Sequence, residues 1–351
     1  MTRQKPKSYP HKIFLSTQTI QKEVLELLNS VEDGTYIERL NYLLDSYQNL
    51  ICSSKFQGGH ENFYDVYQDD TIKTINSIKR CVKYYLHGRI SSSYKAFNIR
   101  WSSLWKDNYT PNVYSLPENE FWYKIRRIED HPFKKREEYF HIPFEMRGKI
   151  GNNRYSISGY PCLYLGKSLY TCWEETRRPK LSELALIAYK VQKPMHLLDM
   201  RLNQRIESGE KEMYNIRLLP YILASSLKVY HDDCQFKPEY IIPQLILHSV
   251  IKNNLYHGVI FTSTRHGMAY TKSNLALFEN LAIPVMSNQK SGYCRRLASF
   301  FTASAPTYYE LEYLQGKIIN NCINDTKGKY QNSVFFSLED VLKKKDFNDI
   351  L

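Results

Sequence analysis

No CxxC pair occurs in the 351-residue sequence, which sets aside zinc ribbons and dithiol redox motifs. The seven cysteines, Cys52, Cys81, Cys162, Cys172, Cys234, Cys294 and Cys322, are odd in number and irregularly spaced. HExxH and GxSxG are absent, and so is any acidic metal cluster. Gly58-Gly59 lacks the strand–turn–helix setting and the following Lys-Ser or Lys-Thr of a phosphate-binding loop. No stretch of about twenty apolar residues is present to span a membrane. The opening MTRQKPKSYPHKIFLS has no apolar core of signal-peptide length. Internal repeats and low-complexity segments are missing too. The expectation is a reduced, soluble, cytoplasmic protein with no metal and no membrane partner.

What is present is apolar mass and positive charge. Hydrophobic residues make up 42%, enough for a folded core. Lysine and arginine number 48 against 36 acidic residues, a formal net charge of +12. Such an excess implies an anionic partner: nucleic acid, a phosphate-bearing small molecule or an acidic surface. The basic residues are spread along the chain, which disfavours nucleic acid. The 29 tyrosines suit the stacking of a base or a nicotinamide ring.

Apolar spacing predicts helices first. Ile20, Val24, Leu27, Leu28 and Val31 share one face, as do Ile72, Ile75, Ile78, Val82 and Leu86. Gly88 ends the second helix, and the serines at 91–93 are placed to cap a third. Polar, glycine-bearing SSKFQGGHENFYDVYQDD reads as a loop, and so does WKDNYTPNVYSLPENE. After a boundary near residue 125 the pattern changes. EYFHIPF, RYSISGYPCLYLG, ELALIAYKV, MHLLDM, HGVIFTS and NLALFEN read as strands or extended pieces. Helices are expected at SLYTCWEETRR with Ser168 as N-cap, around Pro220, and after Pro243. The fold class is therefore α+β: a helical portion at 1–125, a mixed portion at 126–290 and an extension at 291–351.

One constellation carries chemistry: Arg154, Tyr164 and the Glu174–Glu175 pair, in YFHIPF…RYSISGYPCLYLGKSLYTCWEE. This stretch resembles the core of the RES domain, named for its Arg, Glu and Ser. EYIIPQLILHSVIKNNLYHGVIFTSTR resembles the domain's second half and NLALFEN its closing strand, so the likeness covers about residues 137–285. The resemblance implies an ADP-ribosyltransferase-like fold. It also implies a toxin or defence effector of a bacterial cytoplasm that breaks NAD or transfers its ADP-ribose. NAD is then the substrate, a protein is one candidate acceptor, and a cognate antitoxin or trigger protein is the expected partner. The length outside the likeness is expected to restrain the activity.

The family pattern places its glutamate eleven residues after the strand tyrosine, at Glu175 counted from Tyr164. Glu174 has Arg178 four residues on, an ordinary helix-surface ion pair. Leu169, Cys172, Trp173 and Thr176 would form the buried stripe between them. A carboxylate beside the ribose can stabilise an oxocarbenium-like state, and an arginine can grip pyrophosphate or ribose oxygens. The family's leading arginine falls at His141, whose missing charge Arg147 or Arg154 could supply. The resemblance implies a serine at the start of the later helix, where this chain reads IIPQ without one. Ser263 is the nearest serine in a site-like strand position, Gln244 could substitute as the polar contact from the helix, and Tyr240 is a further aromatic candidate. The helical portion weakly resembles HEPN domains, whose ribonucleases pair an arginine with a histidine. Arg80 and His87, seven apart, would be that pair. A non-catalytic binding protein is the third reading.

Overall fold

The computed structural model describes residues 4–9, 13–15, 17–56, 61–105, 113–128, 134–180, 183–202, 210–253, 255–265, 275–307 and 330–351. Cys322 lies outside these residues. The chain is α+β, with helices first and a mixed sheet after them. Four helices lead: α1 (Thr17–Asn29), α2 (Tyr36–Cys52), α3 (Glu61–Leu86) and α4 (Ile90–Trp101). Thr35 starts α2 through a capping box with Glu38, each side chain taking the other's backbone N–H. α3 stops just before Gly88, whose φ of 72° suits glycine. Between Gly59 and Gly88 the sequence has no glycine or proline, so α3 extends back to Glu61 through residues expected to be a loop. The three serines lie inside the first turn of α4 rather than before it. Two short strands, β1 (Ile13–Leu15) and β2 (Ser54–Phe56), pair in parallel beside these helices.

The main sheet takes β3 (Val113–Leu116), β4 (Phe121–Arg127), β5 (Cys162–Gly166), β6 (Leu184–Val191) and β7 (Met195–Met200). It continues with β8 (Gly258–Thr262), β9 (Glu279–Pro284), β10 (Phe301–Ala303) and β11 (Asn348–Asp349). Their order is β11-β10-β6-β4-β5-β9-β8-β7-β3, with β7–β8 the only parallel pair among the described strands of this sheet. A boundary at residue 125 falls inside β4, and β3 precedes it. Residues beyond 291 supply β10 and β11. Three expectations are corrected. Pro-bearing 105–120 contains β3. NLALFEN is mostly a 3-10 turn, Leu275–Phe278, and β9 begins only at Glu279. EYFHIPF is not a strand: 3-10 turns at Arg136–Tyr139 and Phe144–Lys149 take in its two ends, and Tyr139, Phe140 and Phe144 pack onto the sheet.

Strand alternation gives the sheet two apolar faces. One gathers Trp122, Leu163, Leu165, Ile187, Tyr189 and Leu281 with the turn aromatics. The opposite face is covered in two separate parts. Over β4 and β6, Tyr123, Ile125, Leu186 and Ala188 meet α5 (Leu169–Glu175) and a helix from the extension, Val334–Lys343. Over β7 to β9, Leu198, Val259, Phe261 and Ala282 meet α6 (Glu210–Ser225) and α7 (Ile241–Asn253), which pack with α2 and α3. Each such buried Leu, Ile, Val or Phe side chain contributes about 1.5–3 kcal/mol. Among the described residues no helix is long and apolar enough to cross a membrane.

Candidate active site

Where these two covers part, the sheet face stays open. β4 and β5 are registered through a single pair, Tyr123 and Gly166. A cavity of about 730 Å³ lies there, floored by β4, β5, β8 and β9 and walled by α5 and by residues 228–240. Gly166 is the close approach that makes room for α5, since a Cβ there would sit 2.6 Å from Cys172 Sγ. The wall at 228–240 is set by α2: Arg39 donates to the Lys228 carbonyl at 2.8 Å and forms a buried ion pair with Glu239.

α5 carries the two glutamates. Ser168 is its N-cap, accepting from Thr171 N at 3.0 Å and donating to the Leu277 carbonyl. Its buried residues are Leu169, Thr171, Cys172 and Glu174, so the expected stripe is rotated and Trp173 and Thr176 are half-buried. Glu174 is 5% exposed; it accepts from Tyr170 Oη at 2.6 Å and from Arg178 at 2.8 and 2.9 Å. The Glu174–Arg178 pair therefore exists, but with a buried carboxylate rather than on an exposed surface. Glu174 lines the cavity, and so does Glu175. Glu175 Oε1 accepts from Ser263 Oγ at 2.6 Å and from Asn280 Nδ2 at 2.7 Å, and Arg265 Nε lies 3.5 Å from Oε2. Ser263 Oγ in turn accepts the Arg265 backbone N–H at 3.1 Å. The carboxylate is thus fixed through one oxygen, while its side chain keeps 35% exposure toward the cavity.

Arg154, Tyr164 and Tyr240 line the same cavity. The Arg154 guanidinium donates to the Ser225 and Leu227 carbonyls and to Thr264 Oγ1, at 2.6, 2.9 and 2.6 Å. It also lies over the Tyr240 ring, 5.1 Å from its centre. Its charge is held rigidly at the wall, with most donors already engaged. Tyr164 Oη donates to the Tyr155 carbonyl at 2.8 Å. Burial, and then Cys162, push its hydroxyl well above the usual phenol range, so it stays a neutral donor.

The other sequence-predicted residues stand outside. His141 is 1% exposed and does not line the cavity. Its Nδ1 bonds the Ile142 carbonyl at 2.7 Å and its Nε2 accepts from Cys294 N at 2.9 Å, which fixes the neutral tautomer. Burial, opposed by that carbonyl and aided by Lys124, lowers it to about 4. Arg147 bonds the Gly159 carbonyl and Asn288, also away from the cavity. Gln244 touches Asn152 and Asn153, which line the cavity, and so positions that loop. Arg80 and His87 are both exposed; His87 lies past the end of α3 with Nδ1 on the Lys83 carbonyl. Among the described residues no group of three or more His, Cys, Asp or Glu is arranged to hold a metal.

Sequence reasoning passed over Asn280, Arg265, Asp232, Arg177 and Lys124, all of which line the cavity. Lys124 donates to the Phe140 carbonyl at 2.8 Å; burial and then Arg126 lower its ammonium well below the usual range. Arg177 and Arg178 follow α5 with φ of 67° and 49°, left-handed for side chains that disfavour it by about 1–2 kcal/mol each. Two such residues in succession were the one local signal, and sequence does not display it.

The family model described as RES domain matches residues 124–293. A Bacillus subtilis (strain 168) protein named "Putative toxin YopC" is 30% identical over 255 residues, covering 66% of this chain and 57% of that protein. The chain thus spans little more than half the length of this relative. No solved structure matches. The cavity, with the Glu175 carboxylate and its arginines, lies almost wholly within residues 124–293, the part of the chain that is similar to the RES domain family.

Proposed function

We propose that this chain is a toxin-like enzyme that consumes NAD by cleaving its nicotinamide–ribose bond. The observation that carries the reading is Glu175: a carboxylate fixed through one oxygen by Ser263 and Asn280 in a cavity otherwise rich in cations. As the C–N bond breaks, its electron pair leaves with nicotinamide and the ribose carbon gains positive charge. The Glu175 carboxylate stabilises that charge and accepts a bond from a ribose hydroxyl. Tyr164, Tyr240 and Phe261 offer aromatic surface for the planar rings. Arg154 contributes a fixed positive field toward the diphosphate without donating most of its bonds. The ribose carbon then takes a nucleophile. With water the products are ADP-ribose and a proton; phosphate or a protein side chain gives the corresponding conjugate.

The test is direct. Purified full chain is incubated with NAD, free nicotinamide is followed by chromatography, and the ADP-ribose product is identified by mass spectrometry. Nicotinamide release that vanishes in Glu175→Ala supports the reading. Intact NAD after prolonged incubation, with phosphate and candidate proteins supplied, refutes it.

A further inference from the structure

At the cavity mouth, segments far apart in the chain converge on one carboxylate. Arg177, just past α5, directs Nε to Asp232 Oδ2 at 2.9 Å and Nη2 to the Asp232 carbonyl at 3.0 Å. Arg265, just past β8, forms a bidentate pair with both Asp232 oxygens. Lys237, 9% exposed, is anchored on the Cys234 carbonyl at 2.8 Å behind them. All four residues line the cavity. Burial alone would raise the Asp232 carboxyl, but Arg265, then Arg177 and Lys237, hold it below the usual range.

A guanidinium fork that fits a carboxylate fits two phosphoryl oxygens equally well. Asp232 is the one carboxylate shared by both arginines, Glu175 standing 3.5 Å from Arg265 Nε as a second; a diphosphate in the place of Asp232 brings two charges where it brings one. The arginines are therefore better matched by a diphosphate than by the side chain they hold. Arg177 also keeps its left-handed backbone, φ 67°, while bonded to Asp232, so its guanidinium is aimed at the mouth from a constrained segment.

We infer that Arg177 and Arg265 form a clamp for the diphosphate of a nucleoside diphosphate ester, with Asp232 as a built-in competitor for the same two guanidiniums. This rests on the NAD reading for the ligand's class. The competitor makes the mouth selective. A single phosphoryl group displaces Asp232 poorly: it carries up to about two charges at neutral pH, but it offers one set of oxygens and no further contacts. A diphosphate ester spans both guanidiniums with two phosphoryl groups and adds the contacts of the rest of the ligand. Asp232 is in this sense a specificity-determining residue.

The test measures binding of ADP, AMP and inorganic phosphate to the full chain by calorimetry at fixed salt. Asp232→Asn keeps the side chain's shape and the backbone carbonyl that Arg177 uses. It is expected to tighten ADP about tenfold and to bring AMP and phosphate into a measurable range. Arg177→Gln is expected to weaken ADP about tenfold, and the gain from Asp232→Asn shrinks when both changes are combined. Unchanged or weaker ADP binding by a folded Asp232→Asn protein overturns the inference. If Asp232→Asn does not fold, Arg177→Gln decides alone, and ADP affinity equal to wild type overturns the clamp. ADP binding that responds as expected without NAD cleavage keeps the clamp and refutes the NAD reading. NAD cleavage with ADP affinity indifferent to both changes refutes the clamp only.

Discussion

Glu175→Gln isolates the charge on which the proposed chemistry depends. Glutamine keeps an Oε1 that accepts from Ser263 and Asn280, so the side chain stays where it is. What disappears is one negative charge beside the ribose. A unit charge about 4 Å away at an effective dielectric of about 20 is worth about 4 kcal/mol. Glu175 is about a third exposed, so solvent screening lowers this to about 3 kcal/mol, on the order of 100-fold in rate. Losses of about 100- to 1000-fold are usual for one well-placed electrostatic group. Affinity should change little, because the positive charge develops only in the transition state. The assay pairs nicotinamide release under saturating NAD with NAD binding by calorimetry. Glu174→Gln is the control. It removes a buried charge bonded to Tyr170 and Arg178, and Arg178 is half exposed, so stability falls by about 1 kcal/mol. Its kcat should stay within a few-fold of wild type. Glu175→Gln turnover within tenfold of wild type refutes the electrostatic argument. Loss of turnover in Glu174→Gln with Glu175→Gln intact moves the chemistry one residue back along α5.

Other residues give independent checks. His141, lowered to about 4 against about 6.5 in the unfolded chain, leaves the unfolded state binding more protons between those values. Stability should therefore fall by about 2 kcal/mol from pH 7 to pH 4.5, and urea titrations of His141→Gln should lack that component. Glu339 accepts the Leu169 N–H at the start of α5 at 2.8 Å, together with Tyr330 Oη at 2.6 Å. Glu339→Ala should cost about 1–3 kcal/mol in urea unfolding, and Glu339→Gln less, because an acceptor remains. Gly258→Ala would place a Cβ 2.5 Å from the Ala282 carbonyl oxygen and 3.0 Å from Ile283 Cα in β9. Backbone cannot swing aside as a side chain can, so a melting shift equivalent to about 1–3 kcal/mol or more is expected.

Much of α5 was legible because its determinants are local. Ser168 caps it, and Glu174 finds Arg178 one turn away. The Glu175–Ser263 contact spans 88 residues and could be reached only through likeness to a family. Asn280, 105 residues from Glu175, had no local mark inside a buried strand. Asp232 and Arg265 read as ordinary charges, since their meaning arises only where two loops meet. His141 misled because aromatic density around Pro143 resembles a strand end. In the fold the same aromatics fill the sheet face from compact turns and bury the imidazole among Phe140, Phe144 and Tyr293. Polar 61–70 misled in the other direction, its composition hiding the first turns of α3.

The helical portion is part of the site's construction. Arg39 in α2 reaches the Lys228 carbonyl and Glu239, bracketing the segment that holds Asp232 and Lys237. Both partners of the Arg39–Glu239 pair are nearly buried, so removing one leaves a charge stranded in the interior. The same helices cover α6 and α7, whose apolar residues share one core with β7, β8 and β9. Cutting the chain at residue 125 would remove β3 and most of β4 along with this cover. The cavity wall exists because a helical layer, contributed from outside the residues matched as RES domain, holds it against the sheet. Restraint of the proposed activity therefore need not come from a detachable domain. A carboxylate set across the mouth, on a wall that the helices hold in place, would supply it.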